Sequence, residues 1–270
     1  MQLGLIKALY TDQLTKVYNY SEAENLFYIT LQWLEKKSKT AVILGQDTLL
    51  VDTYQLVLEE LLLGKPIQYL THEAPFYGLY LYVDERVLIP RPETEQLVHW
   101  IIHDNPEFNG SVMDIGTGSG CIPVALAKHW PEAILSGCDI SADALVVAEK
   151  NAKDQEVDVT FIQKDILSQE LDDYDIIISN PPYIGKSEMH DMHQNVLNNE
   201  PHLALFVSDS DPLIFYKRIL QLAKQQKTTC YFETSELYRD ELDLWLDTEN
   251  LDYIWQLDFQ KKNRMLKVRF

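Results

Sequence analysis

Ile176-Ile177-Ile178 runs straight into Ser179-Asn180-Pro181-Pro182-Tyr183, and no other stretch restricts the fold as much. Three consecutive β-branched apolar residues leave no polar face, so the strand has to be covered on both sides, as strands of a parallel sheet are. The prolines end it. Neither can donate to a sheet ladder, and each keeps the preceding residue out of the helical region. Asn180 is thereby presented on a stiff, extended backbone at the carboxyl end of a strand, the edge at which open α/β sheets bind ligands.

The surrounding pattern agrees. Strands predicted at 111–115, 134–139, 158–162, 174–179, 228–233, 252–258 and 264–270 alternate with helices near 92–104, 119–129, 142–153, 211–226 and 235–247. That alternation implies right-handed crossovers and a mostly parallel, seven-stranded sheet of Rossmann-like α/β class. No helix separates the last two strands, which predicts an antiparallel terminal hairpin. Pro92 suits a first helical position, with Glu93 and Glu95 in the first turn.

Upstream the pattern is helical. Ser21–Glu24 and Asp52–Gln55 each fit a capping box ahead of an apolar run, and Gly64 with Pro66 supplies a stop. The organisation expected is a helical domain over residues 1–74, a β-hairpin linker over 75–90 rich in alternating aromatics, and an α/β domain over 91–270. The polar segment 184–200, with His190 and His193, is expected as a long mobile loop.

The chain of 270 residues carries 23 Lys+Arg against 42 Asp+Glu, a net charge of −19. Such a surface repels phosphate backbones and anionic lipid, which argues against nucleic-acid and membrane partners. Three scattered cysteines are too few for a disulfide framework and fit a reducing cytoplasm. Neither an export signal nor a run of about 18 apolar residues is expected to anchor the chain.

Chemistry concentrates at four strand ends. Asp114-Ile115-Gly116-Thr117-Gly118-Ser119-Gly120 reads as a strand, a glycine turn and a helix start, where free N–H groups meet a ligand. The spacing is not the dinucleotide G-x-G-x-x-G, and Asp114 suits an ammonium group better than a pyrophosphate. Asp139 ends the next strand, where a carboxylate can accept from both hydroxyls of a ribose; capping the following helix beside Ser141 is its plainer role. Asp165 and Ile166 follow the third strand, placed to meet an adenine amine and ring, although an Asp there is more often a turn residue. Asn180 and the Pro181 carbonyl offer two acceptors that could grip one –NH2 group, Pro182 stiffens the turn, and Tyr183 could close over a planar substrate. His99 and His103 share a helix face without a third ligand, so no metal site is expected. Cys121 has nothing in sequence to activate it.

Taken together, Asp114–Gly120 and Asn180–Tyr183 resemble the class I S-adenosylmethionine-dependent methyltransferases that act on –NH2 nitrogens. Further matches are Gly64-Lys-Pro-Ile-Gln-Tyr69, Phe76-Tyr-Gly-Leu79, Val87-Leu-Ile-Pro-Arg-Pro-Glu-Thr-Glu95 and Glu200-Pro-His-Leu-Ala-Leu205. With them the chain, from about residue 20 to 270, is similar to the peptide chain release factor N5-glutamine methyltransferase family (HemK type). The resemblance implies transfer of a methyl group from S-adenosyl-L-methionine, leaving S-adenosyl-L-homocysteine, to the Gln of the Gly-Gly-Gln motif in bacterial release factors. It also implies that Gly116, Thr117, Gly118, Ser119 and Gly120 line the methionine part, Asp139 the ribose and Ile166 the adenine. Asn180 would touch cofactor and substrate, with Pro181, Pro182 and Tyr183 holding the substrate amide. The helical domain would dock the protein substrate, and a monomer is expected.

Two departures stand out. Glu233-Thr234-Ser235 replaces Glu-Ile-Gly, and Asp258-Phe-Gln-Lys-Lys-Asn-Arg264 lacks the glycine of the family's Asp-x-x-Gly turn. The alternatives are an adenine-N6 DNA or RNA methyltransferase and a non-catalytic cofactor-fold binding protein.

Overall fold

A computed structural model describes residues 1–192 and 194–270, in two compact units. The first holds α1 (Leu3–Leu14), α2 (Tyr20–Glu35), α3 (Lys39–Ile43), α4 (Val51–Leu62) and α5 (Ile67–Thr71), joined by a short helix from later in the chain, Gln194–Asn199. Leu3, Ile6, Tyr10 and Leu14 recur at helical spacing and meet Phe27 and Leu31 of α2 and Tyr54 and Leu61 of α4. The Tyr10 hydroxyl donates to the Tyr54 carbonyl at 2.6 Å, so the buried phenol keeps a partner. The later helix is pinned by Asn199 Nδ2 to the Gly64 carbonyl at 3.1 Å and Asn195 Nδ2 to the Tyr18 hydroxyl at 3.0 Å.

Neither predicted capping box forms. Asn19 caps α2, its Oδ1 accepting from Glu22 N–H at 3.0 Å, which places Ser21 inside the first turn. Helix α4 starts at Val51 after Leu50 without a side-chain cap, and Asp52 already lies within it. Gly64 does end that region, at φ 85°.

The larger unit begins at Ala74. The hairpin expected over 75–90 is shorter: β1 (Ala74–Phe76) and β2 (Leu79–Leu81) pair around Tyr77 and Gly78, both at positive φ, the backbone a two-residue hairpin turn needs. It is no free linker, because Phe76 and Leu81 join the core of the larger unit.

Then follow α6 (Pro92–Asp104), β3 (Ser111–Ile115), α7 (Cys121–His129), β4 (Ile134–Asp139), α8 (Ala142–Asp154), β5 (Thr160–Gln163), β6 (Ile176–Ser179) and β7 (Ile184–Gly185). The helix shared with the first unit is α9, followed by α10 (His202–Leu205), β8 (Phe206–Val207), α11 (Ile214–Gln226), β9 (Thr229–Glu233), α12 (Arg239–Thr248), β10 (Asp252–Leu257) and β11 (Asn263–Arg269). The stretch 184–200, expected as a loop, thus holds β7, a 3₁₀ turn over Lys186–Asp191 and α9. His193 lies outside the described residues.

Seven strands form one sheet in the order β10-β11-β9-β6-β3-β4-β5. Strands β3, β4, β5, β6 and β9 are parallel, and β11 runs antiparallel between β9 and β10. The isoleucine run behaves as period two requires: Ile176 and Ile178 enter one core cluster and Ile177 the other. The order of strands reverses at β3, with β4 and β5 on one side and β6 on the other, so the carboxyl ends of the parallel β3 and β6 open the crevice in which ligands of such sheets sit. At the far edge, Lys261 stands where the family glycine would, at φ 63°. Its turn closes through Asp258 N–H to the Lys262 carbonyl and Lys262 N–H to Asp258 Oδ1, both 2.8 Å.

Candidate active site

Leaving β3, the chain makes a turn in which Gly116, Gly118 and Gly120 have φ of 73°, 53° and 75°, a conformation only glycine takes without strain. The three differ in what surrounds them. A Cβ on Gly116 or Gly118 would meet nothing within 4 Å, whereas one on Gly120 would press on Ala148 at 3.0 Å. The first two therefore leave a cradle open for a ligand, and the third lets helix and turn pack. Gly116 and Thr117 donate to the Cys138 carbonyl at 2.8 and 2.9 Å, and Gly118 N–H donates to Asp139 Oδ2 at 2.9 Å. The turn is thereby stitched to the end of β4.

Asp114 lies just behind this turn, 1% exposed, and neither carboxylate oxygen has a hydrogen-bond partner. Burial pushes its carboxyl up to about 7; the nearby Thr117 hydroxyl opposes that without closing a hydrogen bond, and the charge of Asp139 adds to it. A buried carboxylate without a partner is costly. A ligand ammonium group would remove that cost, and together with the open cradle this fits the amino-acid end of S-adenosylmethionine.

Asp139 carries two bonds already, Oδ2 from Gly118 and Oδ1 from Ser141 N–H at 2.9 Å. Burial raises its pKa, opposed by the N–H groups of Ser141, Gly118 and Ile140. Ser141 is the cap of α8, accepting from Ala144 N–H at 3.2 Å. Asp139 thus braces the turn, and each oxygen retains acceptor capacity toward the cavity it lines. Asp165 is also engaged, accepting from Leu167 N–H at 3.0 Å and the Ser168 hydroxyl at 2.8 Å. Ile166, 6% exposed, supplies an apolar wall beside it.

These groups surround one cavity of about 340 Å³, whose wall includes Gly116–Ser119, Asp139, Asp165, Ile166 and Ser179–Pro182, within the size range of small-molecule sites. Asp114, Gly120 and Tyr183 lie behind that wall. Tyr183, expected to stack on a substrate, instead packs its ring against a core cluster and donates its hydroxyl to Glu233 Oε1 at 3.4 Å. Cys121 and Cys138 border the cavity, but burial pushes both thiols up to about 12, which leaves them inert near neutral pH.

The opposite wall is built around Asn180. Its Nδ2 donates to the Thr94 hydroxyl at 3.4 Å, and that hydroxyl donates to Glu233 Oε2 at 2.6 Å. Ser179 ties β6 to β3, its hydroxyl donating to the Ile115 carbonyl at 2.8 Å. Two segments singled out only by resemblance also converge here. Arg91 pairs with the buried Glu200 at 2.6 Å, holding Pro90–Arg91 and Pro201–Ala204 at the rim.

Thr94 and Glu233 went unmarked as site residues in the sequence. For Glu233 a signal exists: β3, β4 and β9 each carry an acidic residue at or near the carboxyl end, Asp114, Asp139 and Glu233. For Thr94 the signal is its place in the Val87–Glu95 match alone, since by itself it reads as an ordinary first-turn residue of α6.

The methyltransferase small domain family matches residues 94–204. Among curated relatives, the release factor glutamine methyltransferase of Flavobacterium psychrophilum is 42% identical over 276 residues, covering 97% of this chain and 96% of its own. That of Streptococcus pneumoniae is 45% identical over 205 residues, 74% of this chain and 73% of its own. Among solved structures, the hMettl16 catalytic domain in complex with a MAT2A 3′UTR hairpin aligns with TM-score 0.56 at 19% identity, covering 72% of this chain and 76% of that one. A human methyltransferase 10 domain containing protein aligns at 0.51 and 18% identity, covering 72% and 90%. At those identities the solved structures establish the fold alone.

Proposed function

Because the chain belongs to the release factor glutamine methyltransferase family, we propose that this cavity aligns S-adenosyl-L-methionine with the side-chain amide of a release-factor glutamine and methylates its N5. The observation that carries the reading is the pairing of two unlike walls in one cavity: a glycine cradle with a buried carboxylate behind it that has no hydrogen-bond partner, and an Asn-Pro-Pro corner whose amide is anchored from behind.

Bound there, S-adenosylmethionine supplies a methyl group activated by its sulfonium. Asp114 holds the ligand's ammonium, Gly116 and Gly118 give it backbone contact, Asp139 accepts from the ribose, and Asp165 with Ile166 borders the adenine. Asn180 and the Pro181 carbonyl accept the two N–H bonds of the substrate amide. An amide nitrogen is a poor nucleophile because its lone pair is shared with the carbonyl, so two fixed acceptors that favour a rehybridised nitrogen stabilise the transition state. Holding donor and acceptor in line supplies the rest, a gain on the order of several kcal/mol. No strong general base is required, since the nitrogen becomes acidic as its new bond forms and one proton leaves to water.

The helical unit is read as the dock for the protein substrate. It has its own core, and its surface exposes Ile43, Leu44, Leu49 and Leu56. The net charge of −19 supports a protein partner over nucleic acid or membrane, and no helix among the described residues is long and apolar enough to cross a membrane. We take the protein to act as a monomer in the cytoplasm, where release factors function.

The test is mass-spectrometric mapping after incubation with S-adenosylmethionine and either an intact bacterial release factor or one with its Gly-Gly-Gln glutamine replaced. One added methyl on that glutamine, absent from the variant, is the expected result. Methylation of nucleic acid supplied alongside, with the factor untouched, would overturn the reading in favour of an adenine-N6 enzyme.

A further inference from the structure

Resting on the reading of this cavity as an amide-methylating site, we propose that Thr94 and Glu233 are positioning residues that decide which end of the Asn180 carboxamide faces the substrate. The two ends of a carboxamide are almost alike in shape, and its terminal torsion is nearly two-fold, so only hydrogen bonding distinguishes them. For this reaction the difference is decisive. An oxygen facing the cavity accepts from the substrate –NH2, whereas an –NH2 facing it sets donor against donor.

The structure contains a chain of bonds with one direction. Asn180 Nδ2 donates to Thr94 Oγ1 at 3.4 Å and Thr94 Oγ1 donates to Glu233 Oε2 at 2.6 Å. Tyr183 donates to the other carboxylate oxygen, Oε1, at 3.4 Å, and Tyr216 donates to the Glu233 backbone carbonyl at 3.1 Å. The single hydroxyl proton of Thr94 is committed to Glu233 Oε2 by that short bond. What Thr94 has left to offer Asn180 is a lone pair, and only the –NH2 end can use it. The Oδ1 end is turned to the cavity as a consequence.

The parts are built for constancy. Thr94 is 3% and Glu233 2% exposed, and they come from different elements 139 residues apart, one in the first turn of α6 and one at the end of β9. Burial raises the Glu233 pKa and the charge of Glu93 adds to that, while the Thr94 hydroxyl, the charge of Arg264 and the Tyr183 hydroxyl favour the carboxylate. Among the described residues, no other hydrogen bond to the Asn180 carboxamide is present to hold it one way round.

Two substitutions separate the proposal from simple packing. Thr94→Val keeps the shape and removes the hydroxyl; Thr94→Ser keeps the hydroxyl. Expected with release factor as substrate is a fall in kcat of about 10- to 100-fold for Thr94→Val, typical of a displaced catalytic group. The cofactor Kd should stay within about threefold, and Thr94→Ser should recover most of the rate. Equal impairment of both variants, or an unchanged Thr94→Val, would overturn the proposal.

A second readout is independent of turnover. In ¹⁵N-labelled protein, with the Asn180 side-chain pair assigned by its loss in Asn180→Asp, one of its two protons should exchange slowly in the wild type and rapidly in Thr94→Val. Identical exchange in the two proteins would contradict the relay. If wild-type protein methylated no release factor while this exchange difference held, the functional reading would fail and the relay would stand.

Discussion

The two walls of the cavity are organised in opposite ways. On the glycine-turn side the main buried charge, Asp114, has no partner, and Gly116 and Gly118 face open space. On the Asn-Pro-Pro side the buried polar groups are linked to one another, Asn180 to Thr94 to Glu233, with Tyr183 joining from beyond. One wall thus has a buried carboxylate without a hydrogen-bond partner, and the other has its polar groups bonded to one another. The difference teaches where free energy is held: under the proposed function, the glycine-turn side carries a desolvation cost that cofactor binding would relieve, and the Asn-Pro-Pro side has settled its geometry in folding.

The largest test of that contrast is Asp114→Asn. Loss of one partner of a buried charge pair costs about 3–5 kcal/mol, so calorimetry should show the cofactor Kd rising by roughly 100-fold or more. The thermal midpoint of the ligand-free variant should not fall, because no hydrogen bond is lost. A drop in stability with unchanged affinity would place Asp114 in the fold and not in the site.

The same group gives a pH signature. Its carboxyl is pushed up to about 7 by burial, so below that pH the ligand-free protein holds it mainly neutral, and binding a cation must expel the proton. Affinity should therefore rise with pH through 7, by up to about tenfold per unit on the acid side, and Asp114→Asn should abolish the dependence.

A smaller effect distinguishes the glycines. Gly120→Ala drives a methyl against Ala148 and forces a left-handed residue, and should cost about 1–3 kcal/mol in urea unfolding. Smallest is Lys261→Gly at the far edge of the sheet, which relieves a lysine at φ 63°. It should stabilise by at most about 1 kcal/mol and leave methyl transfer untouched.

Much of the fold was legible because its signals are local. Strands β3 and β4 and helix α6 match their predicted bounds, the strands through apolar runs ending at turn residues and the helix through Pro92 and its acidic first turn. Strand β5 begins at Thr160, two residues later than expected, where its pairing with Ser136 of β4 starts. The capping boxes failed because the helices start upstream of them: Asn19 caps α2 two residues before Ser21, and α4 already begins at Val51, before Asp52. Among the residues lining the cavity, Gly116–Ser119, Asp139 and Asn180 could be singled out in the sequence because each lies on a contiguous motif. The anchoring of Asn180 was not, because it joins a helix start to a strand end 139 residues away, and only the sheet order brings them together. The contact of the Tyr183 hydroxyl with Glu233 was equally illegible, since it joins residues 50 apart in sequence.

The division of labour between the walls is tested most directly on Asn180→Ala, by measuring single-turnover methyl transfer to an intact release factor beside calorimetric binding of the cofactor. The account predicts a rate lower by about 10²- to 10³-fold, as when a transition-state hydrogen bond is lost, with cofactor affinity within about threefold of wild type. Parallel losses in rate and affinity would contradict it, placing Asn180 in cofactor binding and leaving the substrate amide without its acceptor.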